Sequence, residues 1–159
     1  MTPVADRTTA DMLIVHHTPS PAVQSILEAA VAGCRHAELA EVTVRQEPAL
    51  SATAADLLAA DSLLLITPAN IGYMSGALKH FFDTVYYPCL TATTGLGWAG
   101  IVHGNDDTAG AVRSVERIAS AMGWRQVGPT LSSVGNPSSR ELASVGELAA
   151  TVAAAALGL

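Results

Sequence analysis

Three short runs in this chain, MLIVH (residues 12–16), SLLLIT (62–67) and WAGIVHG (98–104), are continuously apolar through their centres instead of alternating. Runs this short are strands covered on both faces, and strands of that kind belong to parallel sheets wrapped by helices. The segments between them keep helical period. Val23, Ile26, Leu27, Ala30 and Val31 fall at i, i+3, i+4, i+7 and i+8, with Gln24 and Glu28 opposite. Leu78, Phe81, Phe82 and Val85 repeat the spacing, as do Val112, Val115, Ala119 and Met122, and finally Leu142, Val145, Leu148 and Val152.

Two further strands are expected, AEVTVRQ (40–46), which alternates, and RQVGPTL (125–131). Thr53 with Asp56, and Ser138 with Glu141, have the spacing of helix caps. Five strands alternating with helices predict an α/β domain with a parallel sheet between two helical layers, because parallel neighbours require right-handed crossovers.

At 159 residues, without a stretch of linker composition, the chain reads as one domain spanning 1–159, with residues 1–10 expected to be flexible. Hydrophobic residues make up 50% and charged residues 14%, the balance of a packed globule. The net charge is -6, with no basic run, which argues against nucleic acid and anionic membranes as partners. The polar start MTPVADRTTAD and the short apolar end TVAAAALGL predict neither a leader nor a membrane span, hence a cytoplasmic protein. Cys34 and Cys89 form no C-x-x-C pair and are expected to be buried thiols in a reducing compartment.

Open parallel sheets bind ligands beyond the carboxyl ends of their strands, where strand order reverses. In a five-stranded sheet of order 2-1-3-4-5 that crevice lies between the first and third strands. One loop bounding it, HHTPSPAV (16–23), places Ser20 as a helix N-cap and Pro21 as first helical residue, with the hydroxyls of Thr18 and Ser20 beside the free amides of a helix N-terminus. Such a turn suits an anion, above all phosphate, without Lys or Arg, and it is equally the start of any helix. The second loop, TPANIGYMSGALKHFFD (67–83), combines Gly72 and Gly76 with Asn70 and the flat ring of Tyr73, and it suits a planar heterocycle. The third, HGNDDTAG (103–110), joins them on the same sheet edge.

PANIGYMSGALKHFFD resembles the P-x-x-x-G-x-M-S-G-x-L-K-x-F-x-D signature of the flavodoxin-like superfamily, in its NAD(P)H-dependent FMN reductase and quinone reductase branch. HGNDDTAGAVRSVERI is similar to the third FMN-contacting loop and helix of those proteins. The resemblance covers nearly the whole chain. It implies a flavodoxin-like three-layer sandwich with strand order 2-1-3-4-5, FMN as cofactor, a nicotinamide donor, a quinone or other small acceptor, and a homodimer or larger homo-oligomer. It implies further that His17, Thr18, Ser20, Ala22 and Val23 surround the FMN phosphate. Pro68, Ala69, Asn70, Ile71, Gly72 and Tyr73 would line the isoalloxazine, and His103, Gly104, Asn105 and Asp106 would close its far side. Catalysis would be centred on the flavin, with His103 as a side chain able to donate to a bound acceptor.

One departure matters. Flavodoxins carry T-x-T-G-x-T in the phosphate loop, where this chain has Thr18-Pro19-Ser20-Pro21-Ala22-Val23. Val23 replaces the third hydroxyl and Pro21 removes an amide. One lost hydrogen bond to a charged group costs about 1.5–3 kcal/mol, so a flavodoxin-fold binding or interaction protein with weak or no FMN binding stands as the alternative.

Other motifs carry less. GLGWAG (95–100) matches G-x-G-x-x-G but precedes a strand, so it presents no helix N-terminus to a pyrophosphate. Receiver-type phosphotransfer needs acids where His16, His17 and Thr67 stand. GYMSG is not G-x-S-x-G, and Ser75 is expected to cap the helix from Gly76. His16, His17 and His103 with Asp106 are not expected to hold a metal, since adjacent strand residues point to opposite faces. Tyr86, Tyr87 and Trp98 bracket YYPCLTATTGLG, a connection whose aromatics either pack on the sheet edge or reach a partner subunit.

Overall fold

The structure, a computed structural model, describes residues 9–159. The flexibility expected of residues 1–8 lies outside the described residues, and Ala10 already opens the first strand. The apolar runs become β1 (Ala10–His16), β3 (Ser62–Asn70) and β5 (Gly97–Gly104). β2 (Val42–Pro48) is the alternating strand. The helices are α1 (Pro21–Gly33), a short α2 (Ala54–Leu58), α3 (Gly76–Cys89), α4 (Ala109–Ala121) and α5 (Ser139–Ala156).

Caps start these helices where the sequence placed them. Ser20 accepts from the Val23 amide and Ser75 from the Leu78 amide. Thr53–Asp56 and Ser138–Glu141 form reciprocal capping boxes.

The sheet is parallel along β2-β1-β3-β5, and the expected fifth strand lies beyond β5, so the positional order matches the expectation. That fifth strand is broken. β6 (Arg125–Gln126) pairs with the start of β5 and β7 (Leu131–Val134) with its end. Gly97 faces Arg125 while Ile101 faces Leu131, so two extra residues bulge out around Gly128 and Pro129. Proline lacks the N–H a ladder needs, which confines it to such edges and bulges. A second difference is β4 (Tyr73–Met74), which pairs antiparallel with the end of β3 and turns an expected loop into a hairpin.

Alternation along the buried strands divides the core. Leu13, Val15, Leu63, Leu65 and Trp98 pack toward α3 and α4 with Phe81, Phe82, Val85 and Val115. Met12, Ile14, Leu64, Ile66, Ala99 and Ile101 pack toward α1 and α5 with Val23, Ile26, Val145 and Val152. Trp98 is therefore a core residue, not a surface reaching for a partner. On α4 the buried face is Ala111, Ser114, Val115 and Ala119, with Val112 only half-buried. Cys34 and Cys89 are free and buried, and burial pushes the Cys34 thiol up to about 11.

α1 and α5 cross at two glycines. A Cβ on Gly33 would stand 2.2 Å from the carbonyl oxygen of Gly146, so the helices touch backbone to backbone. Gly33→Ala is expected to lower stability by about 1–3 kcal/mol through overpacking, read as a reduced urea midpoint. Gly76→Ala has open space around its Cβ and a helical position, and is expected to be neutral or stabilising by up to about 1 kcal/mol.

Candidate functional site

The carboxyl ends of β1, β3 and β5 leave a cleft of about 550 Å³ at the point where strand order reverses. Its α1 side is Pro19, Ser20, Pro21 and Ala22, the turn that carries the chain from β1 into α1. The amide of His17 donates to Ile66 at 3.0 Å and Ala49 donates to His16 at 2.7 Å, so the strand ends are fixed before the turn begins. The amides of Thr18, Ser20 and Ala22 meet no acceptor among the described residues. Both hydroxyls, by contrast, have local partners. Ser20 Oγ caps Val23, and Thr18 Oγ1 lies 2.6 Å from His16 Nδ1. The Val23 side chain sits in the core beneath α1.

Opposite stands the hairpin. Asn70 pairs with Tyr73 across a two-residue turn in which Ile71 has φ 51° and Gly72 φ 73°. Two successive positive φ values define the tight turn that suits strand twist, and its preferred sequence is Asn-Gly or Asp-Gly. A β-branched residue there is an outlier, and Ile71 is also fully exposed.

α4 holds the hairpin down. A Cβ on Gly110 would lie 2.0 Å from the Gly72 carbonyl oxygen, so only glycine permits this approach. The Met74 amide, facing away from β3, donates to Ser114 Oγ at 3.2 Å. On the other side the Ser75 amide donates to the buried Thr67 Oγ1 at 3.0 Å.

The remaining walls are His103, Gly104 and Asn105 from the end of β5, with Gly135 and Asn136 after β7. Gly104 packs tightly, its Cβ position lying 2.9 Å from Thr108. His103 Nε2 pairs with the Gly135 carbonyl at 2.7 Å, which requires the proton on Nε2. That bond engages the nitrogen a proton donor would use, and it ties the third loop to the fourth.

The cleft thus gathers Ser20, Ala22, Pro68, Ala69, Asn70, His103, Gly104 and Asn105 from the expected set, with Ile71 at the tip of the bordering hairpin. Gly72 and Tyr73 line a different groove, between α3 and α4. His17, Thr18 and Asp106 lie in the loops but outside the cleft lining. Gly135 and Asn136 were missed. Their signal was a Gly-Asn-Pro turn directly after the last strand.

A parallel sheet layered between helices, with a ligand-sized cleft at its switch point, defines the class: this chain has a flavodoxin-like fold. No family model and no curated protein sequence matches it, and the likeness to solved structures is one of shape. A WrbA-like flavodoxin from Agrobacterium tumefaciens superposes with a TM-score of 0.71 at 18% identity, over 94% of this chain and 99% of that one. An oxidoreductase from Corynebacterium diphtheriae gives 0.73 at 17%, covering 96% and 99%. A Pseudomonas aeruginosa flavodoxin, in a cysteine-to-serine mutant, gives 0.73 at 19%, covering 93% and 99%. Among the described residues no helix is long and apolar enough to cross a membrane.

Two outcomes test the geometry. Gly110→Ala is expected to lift the hairpin, seen as faster hydrogen exchange at the Met74 amide and a stability loss of about 1–3 kcal/mol. Burial first, and the neighbouring His17 second, hold the His16 imidazole below its ordinary value. The folded state therefore binds fewer protons than the unfolded chain, so this contribution is intact above about pH 6.5 and is lost as pH falls below it. The melting temperature is expected to drop between pH 7.5 and 5.5 less steeply in His16→Gln than in the wild type.

Proposed function

We propose that this protein binds FMN in the switch-point cleft and passes electrons from NAD(P)H to a quinone or other small acceptor, as a soluble cytoplasmic protein. The observation that carries the reading is Ile71. A non-glycine residue in the left-handed region costs about 1–2 kcal/mol. Here the side chain covers nothing in its own chain, being fully exposed at the hairpin tip. Strain of this kind persists where a ligand uses it, and an apolar tip beside a cleft suits a flat ring.

The residues present fit the group. The cleft volume lies within the range of cofactor pockets. Gly104 and Gly135 line it, and the position a Cβ would take on Gly135 opens into empty space. The free amides of Thr18, Ser20 and Ala22 would hold the phosphate with the partial positive charge of the α1 N-terminus. Asn70, Asn105 and the loop amides near Gly135 would hydrogen-bond the edges of the ring.

When bound, FMN supplies hydride acceptance and electron transfer. The chain's part is to fix the ring between the hairpin and the Asn105 loop, to shield it from water with Ile71, and to present amides where negative charge collects. The structural neighbours named as flavodoxins and as an oxidoreductase support the same reading.

The second reading is a binding or interaction protein that holds FMN weakly or not at all. What favours it is the engagement of both loop hydroxyls, Thr18 with His16 and Ser20 with Val23, beside two prolines without N–H groups.

Titration of the purified chain with FMN and with riboflavin separates the two. The flavin reading expects micromolar or tighter FMN binding and much weaker riboflavin binding. Saturation by neither at about 100 μM removes it, since that marks a binding energy of only about 5–6 kcal/mol. Ile71→Asn creates the preferred Asn-Gly turn, and it is expected to raise stability by about 1 kcal/mol while weakening FMN binding. Tighter binding in that variant contradicts the assigned role of Ile71.

A further inference from the structure

A groove of about 1090 Å³ lies between α3 and α4. Its walls carry Lys79, Arg113 and Arg117, three of only 8 Lys and Arg in an acidic chain. The charges there are not equivalent. Lys79 is paired with Asp83 one turn along α3, and Glu116 accepts from Thr130 Oγ1 at 2.7 Å. Arg113 and Arg117 are exposed and, among the described residues, have no carboxylate within 4.0 Å. Asp83 is neutralised by Lys79 and Glu116 is turned to the Thr130 hydroxyl, while the two arginines have no carboxylate partner among the described residues.

Four residues apart, the two arginines lie on one face of α4. Paired arginines so spaced grip phosphate oxygens through parallel N–H bonds, which a carboxylate-paired lysine cannot do. The opposite wall is aromatic. Tyr86 and Tyr87 meet edge to face with ring centres 5.2 Å apart, and Tyr87 is 85% exposed. An exposed ring packed edge to face against a second ring offers an aromatic surface on which a base can stack.

We propose that the α3–α4 groove is a nucleoside diphosphate site, its phosphates on Arg113 and Arg117 and its base against Tyr86 and Tyr87. The groove begins at the hairpin, where Gly72 and Tyr73 close one end and Gly110 touches Gly72. From Gly110, Arg113 lies about 4.5 Å and Arg117 about 10.5 Å along the helix axis. A nucleotide lying there points one end at the wall of the cleft, as the ADP half of a nicotinamide donor must. That last identification rests on the flavin reading; the nucleotide site itself does not.

ADP-ribose is the probe, because it carries the diphosphate and base, lacks nicotinamide and needs no flavin. Calorimetry on the full chain is expected to show saturable binding. Arg113→Ala and Arg117→Ala each weaken it about tenfold, Arg117→Lys restores only part, and Tyr87→Ala weakens it about fivefold or more. FMN affinity stays unchanged in all four, and circular dichroism confirms that these exposed substitutions leave the fold intact. No saturable heat with the wild type overturns the proposal, as does binding that survives both arginine substitutions or is competed by FMN. An ADP-ribose-inert dimer that Arg117→Glu splits into monomers also overturns it and makes the groove a subunit interface. FMN binding without ADP-ribose binding removes the groove site alone. Arginine-dependent ADP-ribose binding without FMN binding upholds the groove site and removes the flavin reading alone.

Discussion

β1, β3 and β5 have almost no side that faces water, and the rest of the molecule follows from that. β5 is buried at every position from Gly97 to Gly104. Each Val, Leu or Ile so covered contributes about 1.5–3 kcal/mol relative to exposure, which only a helical layer on each face can supply. Helices on both faces force crossover connections, and crossovers bring every strand-to-helix turn to the same edge of the sheet. The cleft is the space those turns leave where the chain departs from β1 and from β3 toward opposite faces of the sheet.

Because burial dictates this layout, most of it was legible in the residues. Uninterrupted apolar runs marked the central strands, the i, i+3, i+4 stripes marked four helices, and Thr53 with Asp56 marked the short fifth. What escaped was local and had a physical reason. Ile71 concealed a hairpin, since the residue expected before Gly72 is Asn, and a β-branched residue argues against a tight turn. The bulge at Gly128 and Pro129 hid the split of the last strand, because its flanking pieces read as one run. On α4, Ser114 faces inward to accept the Met74 amide, a polar partner that hydrophobic periodicity cannot detect.

The site was legible as three loops, and the structure changes what those loops offer. Hydroxyls that a sequence motif assigns to a ligand are engaged within the turn itself, which leaves the amides of the turn as its unpaired polar groups among the described residues. Val23 illustrates the difference: where the resembled loop has a third hydroxyl, this side chain packs into the core beneath α1. The hairpin runs the other way. Its strained tip is held by Gly110 and Ser114 on one side and Thr67 with Ser75 on the other, a rigid support beneath an exposed apolar side chain.

An amide-resolved NMR titration of the labelled chain with FMN tests most directly whether the switch-point cleft is the flavin site. Saturable shifts are predicted at Ser20, Ala22, Asn70, Ile71, Asn105 and Asn136, with the α1–α5 crossing at Gly33 and Gly146 unmoved. Shifts confined to the α3–α4 groove, or none at all, would contradict it.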